Sequence, residues 1–221
     1  VPSTAELKNL KARHAAARVE AVAGEIQTAG RMPRQDNRRV QLLDAAARLF
    51  CQRGFHATSM RDIAKSVDML SGSIYYHFDS KQEMLLAVYA EGARRIGELV
   101  DAAVARETEP WKRLEAASAA HLNALSIIHR DYAQVMIRTL PQEADGIGGQ
   151  LRDIRRDYEG KFRRLIEALP LPRDVDRHYL RLMLIGALNW SHVWYKPGGD
   201  RPEVVARSFI QTLRRRSENG C

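Results

Sequence analysis

The stretch Thr58–Lys81, TSMRDIAKSVDMLSGSIYYHFDSK, decides the reading of the chain. Thr58 or Ser59 can cap a helix, because a side-chain oxygen there accepts from N–H groups that the first turn leaves unpaired. Ile63, Ala64 and Val67 fall on one side of that helix, and Arg61 points away from them. Val67-Asp68-Met69 is a tight turn. Such a turn wants a residue with positive φ, usually Gly; Asp tolerates that region better than most residues. Leu70–Phe78 is predicted as a second helix. Ile74 and Phe78, four apart, face the core and leave Ser71, Ser73, Tyr75, Tyr76 and His77 outside. Gly72 is costly inside a helix, and its benefit would be close approach of backbone to a groove wall. Two short helices about a tight turn form a helix-turn-helix, whose second helix enters the major groove of DNA. The outward residues suit that task. Ser, Tyr and His donate to phosphates and reach base edges, Arg61 matches guanine bidentately, and Lys81 can pair with a phosphate.

The flanking sequence completes this unit. Arg38–Arg53 is an amphipathic helix with Val40, Leu43, Ala47 and Phe50 on one face, and Gly54 ends it as a C-cap glycine would. Arg38 and Arg39 stand at its first turn, where cations oppose the helix dipole and a nearby phosphate would relieve them. Ser80 with Glu83 forms a capping box for a long helix that runs to about Arg106. Residues 38–85 closely resemble the DNA-binding domain of TetR-family transcriptional regulators. The residues that carry the likeness are LLDAAARLFCQRGF (42–55), TSMRDIA (58–64) and SGSIYYHFDSKQEML (71–85). The resemblance implies three N-terminal helices, a helical ligand-binding and dimerisation body, and a homodimer on a palindromic double-stranded operator. By position, Arg61, Ser71, Ser73, Tyr75, Tyr76, His77 and Lys81 match the family's DNA-contacting residues, and Thr58 and Ser59 match the cap. Asp68 replaces the usual turn Gly, and Leu70 stands where a small polar residue is common.

Composition agrees with a polyanionic partner. The formal net charge is +8, and residues 1–81 hold 13 Lys and Arg against 8 Asp and Glu. A basic end beside a near-neutral body fits nucleic acid. Cys51 beside Phe50 reads as a small core residue. Neither it nor Cys221 has metal-ligand spacing, so no metal or other cofactor is expected. The chain shows no continuous apolar run of signal-peptide type, and its longest apolar run, Tyr179–Tyr195, is interrupted by Arg181, Asn189, Ser191 and His192. A cytoplasmic protein without membrane contact is expected.

The expected fold is all-α, in three parts. Residues 1–33 form an N-terminal helical extension, either loosely attached or an arm on a second subunit or DNA. Residues 34–80 form the helix-turn-helix DNA-binding domain, and residues 81–221 the ligand-binding and dimerisation domain. Within the last, Pro110 opens a helix, Asp131–Leu140 is a shorter one, and 141–149 is a loop. Gln150–Leu169 carries a strong apolar stripe. Val175–Tyr195 is apolar on more than one face, and a last helix covers about Pro202–Arg215. These last two helices suit a four-helix dimer interface made from two copies of the pair.

An effector pocket is expected between the remaining helices. Its candidate lining is Trp111, His121, Leu125, Met136, Tyr158, Phe162, Met183, Asn189 and Trp190, with His121 and Asn189 as the orienting polar groups. NWSHVWYKPGGD (189–200) is similar to the subgroup that represses steroid-ring and related acyl-CoA degradation genes. That likeness implies release from DNA by a CoA thioester, whose phosphates Arg130, Arg138 and Arg152 would meet. An enzyme built on His121, His129, His178 or His192 lacks any Ser-His-Asp order, metal spacing or phosphate loop. A ligand-independent architectural DNA-binding protein is the remaining alternative, with affinity dominated by salt.

Overall fold

The computed structural model describes residues 34–139, 146–196 and 198–218. The expected extension over 1–33 lies outside the described residues. Every regular element among the described residues is helical: α1 (Arg34–Arg53), α2 (Met60–Ser66), a 3-10 helix (Ser73–Tyr76), α3 (Lys81–Val104), α4 (Pro110–Asn123), a π segment (Ala124–Ile128), α5 (Arg130–Arg138), α6 (Gly148–Glu167), α7 (Arg177–Trp194) and α8 (Pro202–Glu218). The described residues from Gln41 onward form one compact unit, and the opening of α1 up to Val40 is assigned to a separate one. No described helix is long and apolar enough to cross a membrane.

The helix ends follow local chemistry. Ser59 caps α2 in a full capping box with Asp62, and Ser80 caps α3 by accepting from the Glu83 N–H at 3.1 Å. Glu109 caps α4 ahead of Pro110, and Asp176 caps α7. α1 starts at Arg34, a turn earlier than its apolar pattern predicts, so Arg38 and Arg39 stand in its second turn rather than at its dipolar end. The predicted 70–78 helix is shorter and tighter, a four-residue 3-10 helix. The π segment was not legible from periodicity; the His129 N–H bonds the Ala124 carbonyl at 3.1 Å and resets the register before α5.

Two cores result. In the first, Leu42, Ala46, Leu49 and Phe50 of α1 surround Ile63, Ile74 and Phe78, closed by Met84, Leu85 and Val88 of α3. Tyr132 and Val135 of α5 belong to this same core. In the second, Ile96 and Val100 of α3 join Trp111, Leu114 and Leu122 of α4, Phe162 and Ile166 of α6, Leu184 and Leu188 of α7, and Ile210 of α8. α3 therefore enters both cores, the first through its opening turns and the second through its closing ones. At 1.5 Å per residue its 24 residues span roughly 36 Å.

α3 and α5 cross tightly at Gly92. A Cβ there would lie 3.0 Å from Met136 Sδ and 3.2 Å from Tyr132 Cβ. Gly92→Val is expected to force α5 off α3 and to cost about 1–3 kcal/mol, the usual range for overpacking. Urea denaturation checks this; an unchanged midpoint would show that the crossing has slack.

Candidate functional site

The outer surface of the helix-turn-helix is set by what its inner side must bury. Ile74 and Phe78 are 0% and 1% exposed. Holding both inward in so short a turn leaves Tyr75, Tyr76 and Leu70 outside, at 55%, 91% and 80% exposure. Ser71 is exposed beside them, and Ser73 and His77 are half-buried. Asp68 takes φ +54, the left-handed conformation that the turn requires. Gly72 instead has ordinary helical angles and open space where a Cβ would stand, so the fold itself requires neither the freedom nor the small size of glycine there. Arg61 stands exposed on the second residue of α2. The Ser59 hydroxyl and N–H both donate to the Asp62 carboxylate, which holds that carboxyl below its usual range.

Two expected DNA contacts are corrected. Thr58 is 1% exposed; its hydroxyl donates to the Gly54 carbonyl at 2.9 Å and lies 3.4 Å from that of Leu49. It ties the end of α1 to the start of α2, and Ser59 alone is the cap. Lys81 turns back inside the fold. Its ammonium donates to the carbonyls of Phe55 (2.9 Å), Thr58 (3.0 Å) and His56 (3.4 Å) and sits 4.4 Å from the centre of the Phe55 ring. An ammonium has three N–H donors, and these three carbonyls take them, so none is left for a phosphate.

Polar side chains join the helix-turn-helix to the body where the sequence showed no signal. Asp44 on α1 accepts from Tyr132 Oη at 2.7 Å and from Arg95 Nη1 at 3.1 Å. Arg95 lies 4.6 Å over the Tyr132 ring and donates to Glu91 at 2.6 Å. Burial, then the Asp44 hydrogen bond, pushes the Tyr132 hydroxyl well above its ordinary pKa. The Met136 carbonyl accepts from Tyr89 Oη and from Arg155 Nη2 at 3.2 and 2.6 Å. These partners are 51 and 88 residues apart in sequence (Asp44 to Arg95 and to Tyr132), so no local pattern could reveal them.

In the body, His121, Tyr158, Phe162 and Asn189 come together from α4, α6 and α7. His121 Nδ1 is 2.5 Å from Tyr158 Oη, and Nε2 is 3.1 Å from Asn189 Oδ1. Asn189 Oδ1 only accepts, so Nε2 carries the proton and Tyr158 donates to Nδ1. Phe162 meets the imidazole edge-on at 5.7 Å. Burial pushes His121 down to about 4, only partly offset by Asn189, so the ring is neutral; burial pushes the Tyr158 hydroxyl up. Trp111 and Leu125 lie in the same apolar core, and Met136 borders it from α5. Met183 and Trp190 do not join them. They are 55% and 62% exposed, because α7 turns Leu184, Ile185 and Leu188 inward and their own face outward. Among the described residues, no cluster of His, Cys, Asp or Glu could hold a metal.

Two outcomes follow from this geometry. Lys81→Ala should lower stability by about 1.5–3 kcal/mol, since it orphans carbonyls that bond a charged group. It should leave the salt dependence of DNA affinity unchanged, whereas loss of a phosphate contact reduces that slope by about one. For His121, the unfolded imidazole takes up its proton near 6.5 and the folded one near 4. Between those values the unfolded chain binds more protons. Stability is therefore full above about 6.5 and falls as pH drops toward 4, by roughly 3 kcal/mol in all. Urea denaturation at pH 7.5 and 5 should show the fall, and His121→Gln should flatten it.

Known proteins agree with this architecture. Residues 42–88 match the family model of bacterial regulatory proteins of the tetR family, and residues 107–216 match that of the tetracyclin repressor-like C-terminal domain. The chain is 33% identical over 177 residues to the HTH-type transcriptional repressor KstR2 of Mycobacterium tuberculosis (strain ATCC 25618 / H37Rv), covering 74% of this chain and 84% of that protein. The solved structure of the ketosteroid transcriptional regulator KstR2 of M. tuberculosis superposes with a TM-score of 0.65 at 25% identity, covering 80% of this chain and 92% of that one. AibR in complex with isovaleryl coenzyme A and operator DNA shares the fold, with a TM-score of 0.70 at 23% identity, over 79% of this chain and 97% of that one. The agreement of both halves with these matches makes the chain a member of the TetR family of DNA-binding transcriptional regulators.

Proposed function

We propose that the protein is a homodimeric repressor that leaves a palindromic operator when a small apolar or acyl-CoA-type effector binds its body. The carrying observation is the buried chain Tyr158–His121–Asn189. It is a set of oriented polar groups inside an apolar core, joining three helices. A polar group so placed is costly unless hydrogen-bonded, and the carbonyl of an effector would replace one partner and separate the helices that the chain now holds. KstR2 and AibR support this choice of ligand class, the first by its description as a ketosteroid regulator and the second by its bound acyl-CoA.

The outward face of α7 supports the dimer. Tyr179, Leu182, Met183, Trp190 and Val193 are 45–68% exposed along one helix. A continuous apolar stripe of this kind marks an association surface, and a second copy of α7 and α8 would complete a four-helix interface. The DNA-facing set we assign is Arg61, Ser71, Ser73, Tyr75, Tyr76 and His77, with Arg38 and Arg39 as phosphate contacts. Two such sets must meet successive major grooves about 34 Å apart. An effector that prefers a body conformation with a different spacing releases the DNA, by an amount set by its differential affinity for the two states. Such a regulator works in the cytoplasm, where its operator is.

Operator binding measured by gel shift against a series of CoA thioesters tests this. Branched-chain and alicyclic acyl-CoAs are expected to release the operator and free CoA is not. Asn189→Leu should weaken the response at least tenfold, the loss of one buried hydrogen bond to a ligand. Affinity indifferent to all thioesters, dominated by salt and equal on random duplex, would support the architectural alternative.

A further inference from the structure

A cavity of about 390 Å³ opens where the C-terminal end of α1 meets α3 and α5. Small-molecule sites run from roughly 300 to 1,000 Å³. No residue assigned above to DNA contact or to the His121 cluster lines it. One wall is apolar: Phe50, Phe55, Leu85 and Val135, with the two phenyl rings tilted at 5.5 Å. Among the described lining residues, the charged ones are Arg53 and Arg138; Asp62 lies within electrostatic reach of Arg53 and Asp131 lies near Cys51, but neither arginine is closed into an ion pair among the described residues. Arg138 spends one N–H on the Cys51 carbonyl at 3.3 Å. Asp131 nearby is turned to the Cys51 thiol, which burial and this carboxylate push up.

Gln134 gives the cavity its specific demand. The residue is 9% exposed and lines the space, yet its side-chain amide has no hydrogen-bond partner among the described residues. Its amide atoms stay open to the space of the cavity, where a polar ligand atom can take the place of solvent. An amide left open in a cavity with an aromatic wall and an arginine rim fits a ligand with a ring, an anionic end and one further polar atom.

We propose that this cavity binds a compact aromatic or alicyclic carboxylate. Its ring lies on Phe50, Phe55, Leu85 and Val135, its carboxylate meets the guanidinium rim, and its second polar atom bonds Gln134. This site is separate from the His121 cluster and belongs to both the DNA-binding end and the body. Its occupation does not depend on the effector reading above.

Cys51 lines the cavity and reports on it directly. In full-length Cys221→Ser protein, Cys51 is the sole thiol. Its alkylation by N-ethylmaleimide at pH 8 is followed by mass spectrometry with 6-hydroxy-2-naphthoate as the probe. Saturable slowing of alkylation is expected, with 2-naphthol much less effective. Arg138→Ala and Gln134→Leu, each checked for an unchanged melting temperature, should each raise the protecting concentration about tenfold or more, as loss of a charge-assisted or buried hydrogen bond does. Alkylation unaffected by millimolar naphthoate overturns the site. Protection that survives unaltered in a folded Gln134→Leu protein overturns the geometry assigned to it. Neither outcome involves DNA or CoA thioesters, so this failure is distinct from failure of the repressor mechanism.

Discussion

Tyr132 is held from three sides, and the coupling of the two cores depends on it. Its ring is part of the core under the recognition element, its hydroxyl donates to Asp44 on α1, and the Arg95 guanidinium of α3 covers its face. Fully burying a side chain of this size is worth roughly 1.5–3 kcal/mol, and a buried hydroxyl without its acceptor would cost free energy of similar size. α5 is only nine residues long, too short to be stable on its own. It is a helix because Tyr132 and Val135 are buried in one core while Ala133 is buried in the other. The same contacts that make α5 fold make it a second connection between the DNA-binding end and the body, beside α3.

That double connection explains why the recognition element can be so slight. A four-residue 3-10 helix has little stability of its own. Its position is fixed by Ile74 and Phe78 in the core below, by the positive φ of Asp68 before it, and by Ser80 capping α3 after it. Lys81 adds a further constraint by gathering the carbonyls of residues 55, 56 and 58, so that the loop into α2 and the start of α3 move together. The exposed Tyr75 and Tyr76 are thus presented on a base anchored from several sides.

Much of this was legible in the sequence, because it rests on local rules. Helix starts at Ser80 and Pro110 came from end-of-helix chemistry, and the inward pair Ile74 and Phe78 came from a four-residue spacing. His121 and Asn189 were singled out as polar groups in apolar runs, and they meet in the fold. What failed rests on partners far away in sequence. Lys81 has the composition of a phosphate contact, and only the return of the 55–58 loop, 23 to 26 residues earlier, shows where its protons go. Met183 and Trp190 have the composition of pocket walls. A helix apolar on two faces does not say which face its own chain covers, and they lie on the face left open. Asp44 carries no signal in the sequence, because Tyr132 and Arg95 cannot be placed beside it from local pattern.

α3 and α5 meet at Gly92, between the two cores. α3 is continuous and enters both cores, so a change in the body can tilt it only as a rigid rod. α5 enters both cores too, so tilting α3 alone would pull Arg95 from Asp44 and the Tyr132 ring, and Gly92 from Met136. The two helices must therefore either move together or slide at their contact. Sliding is opposed there by Met136 and Tyr132, which fill the space where a Gly92 Cβ would stand, and by Tyr89 and Arg155 on the Met136 carbonyl. Packed contacts of this kind have discrete arrangements rather than a continuum. Of the side chains at the crossing, Met136 is the one with three rotatable bonds and a polarisable sulfur, able to fill more than one shape of gap. It borders the His121 core on one side and the α3–α6 contact on the other. Met136 therefore packs against both sides of the crossing, and its side chain sets how closely α5 lies on α3.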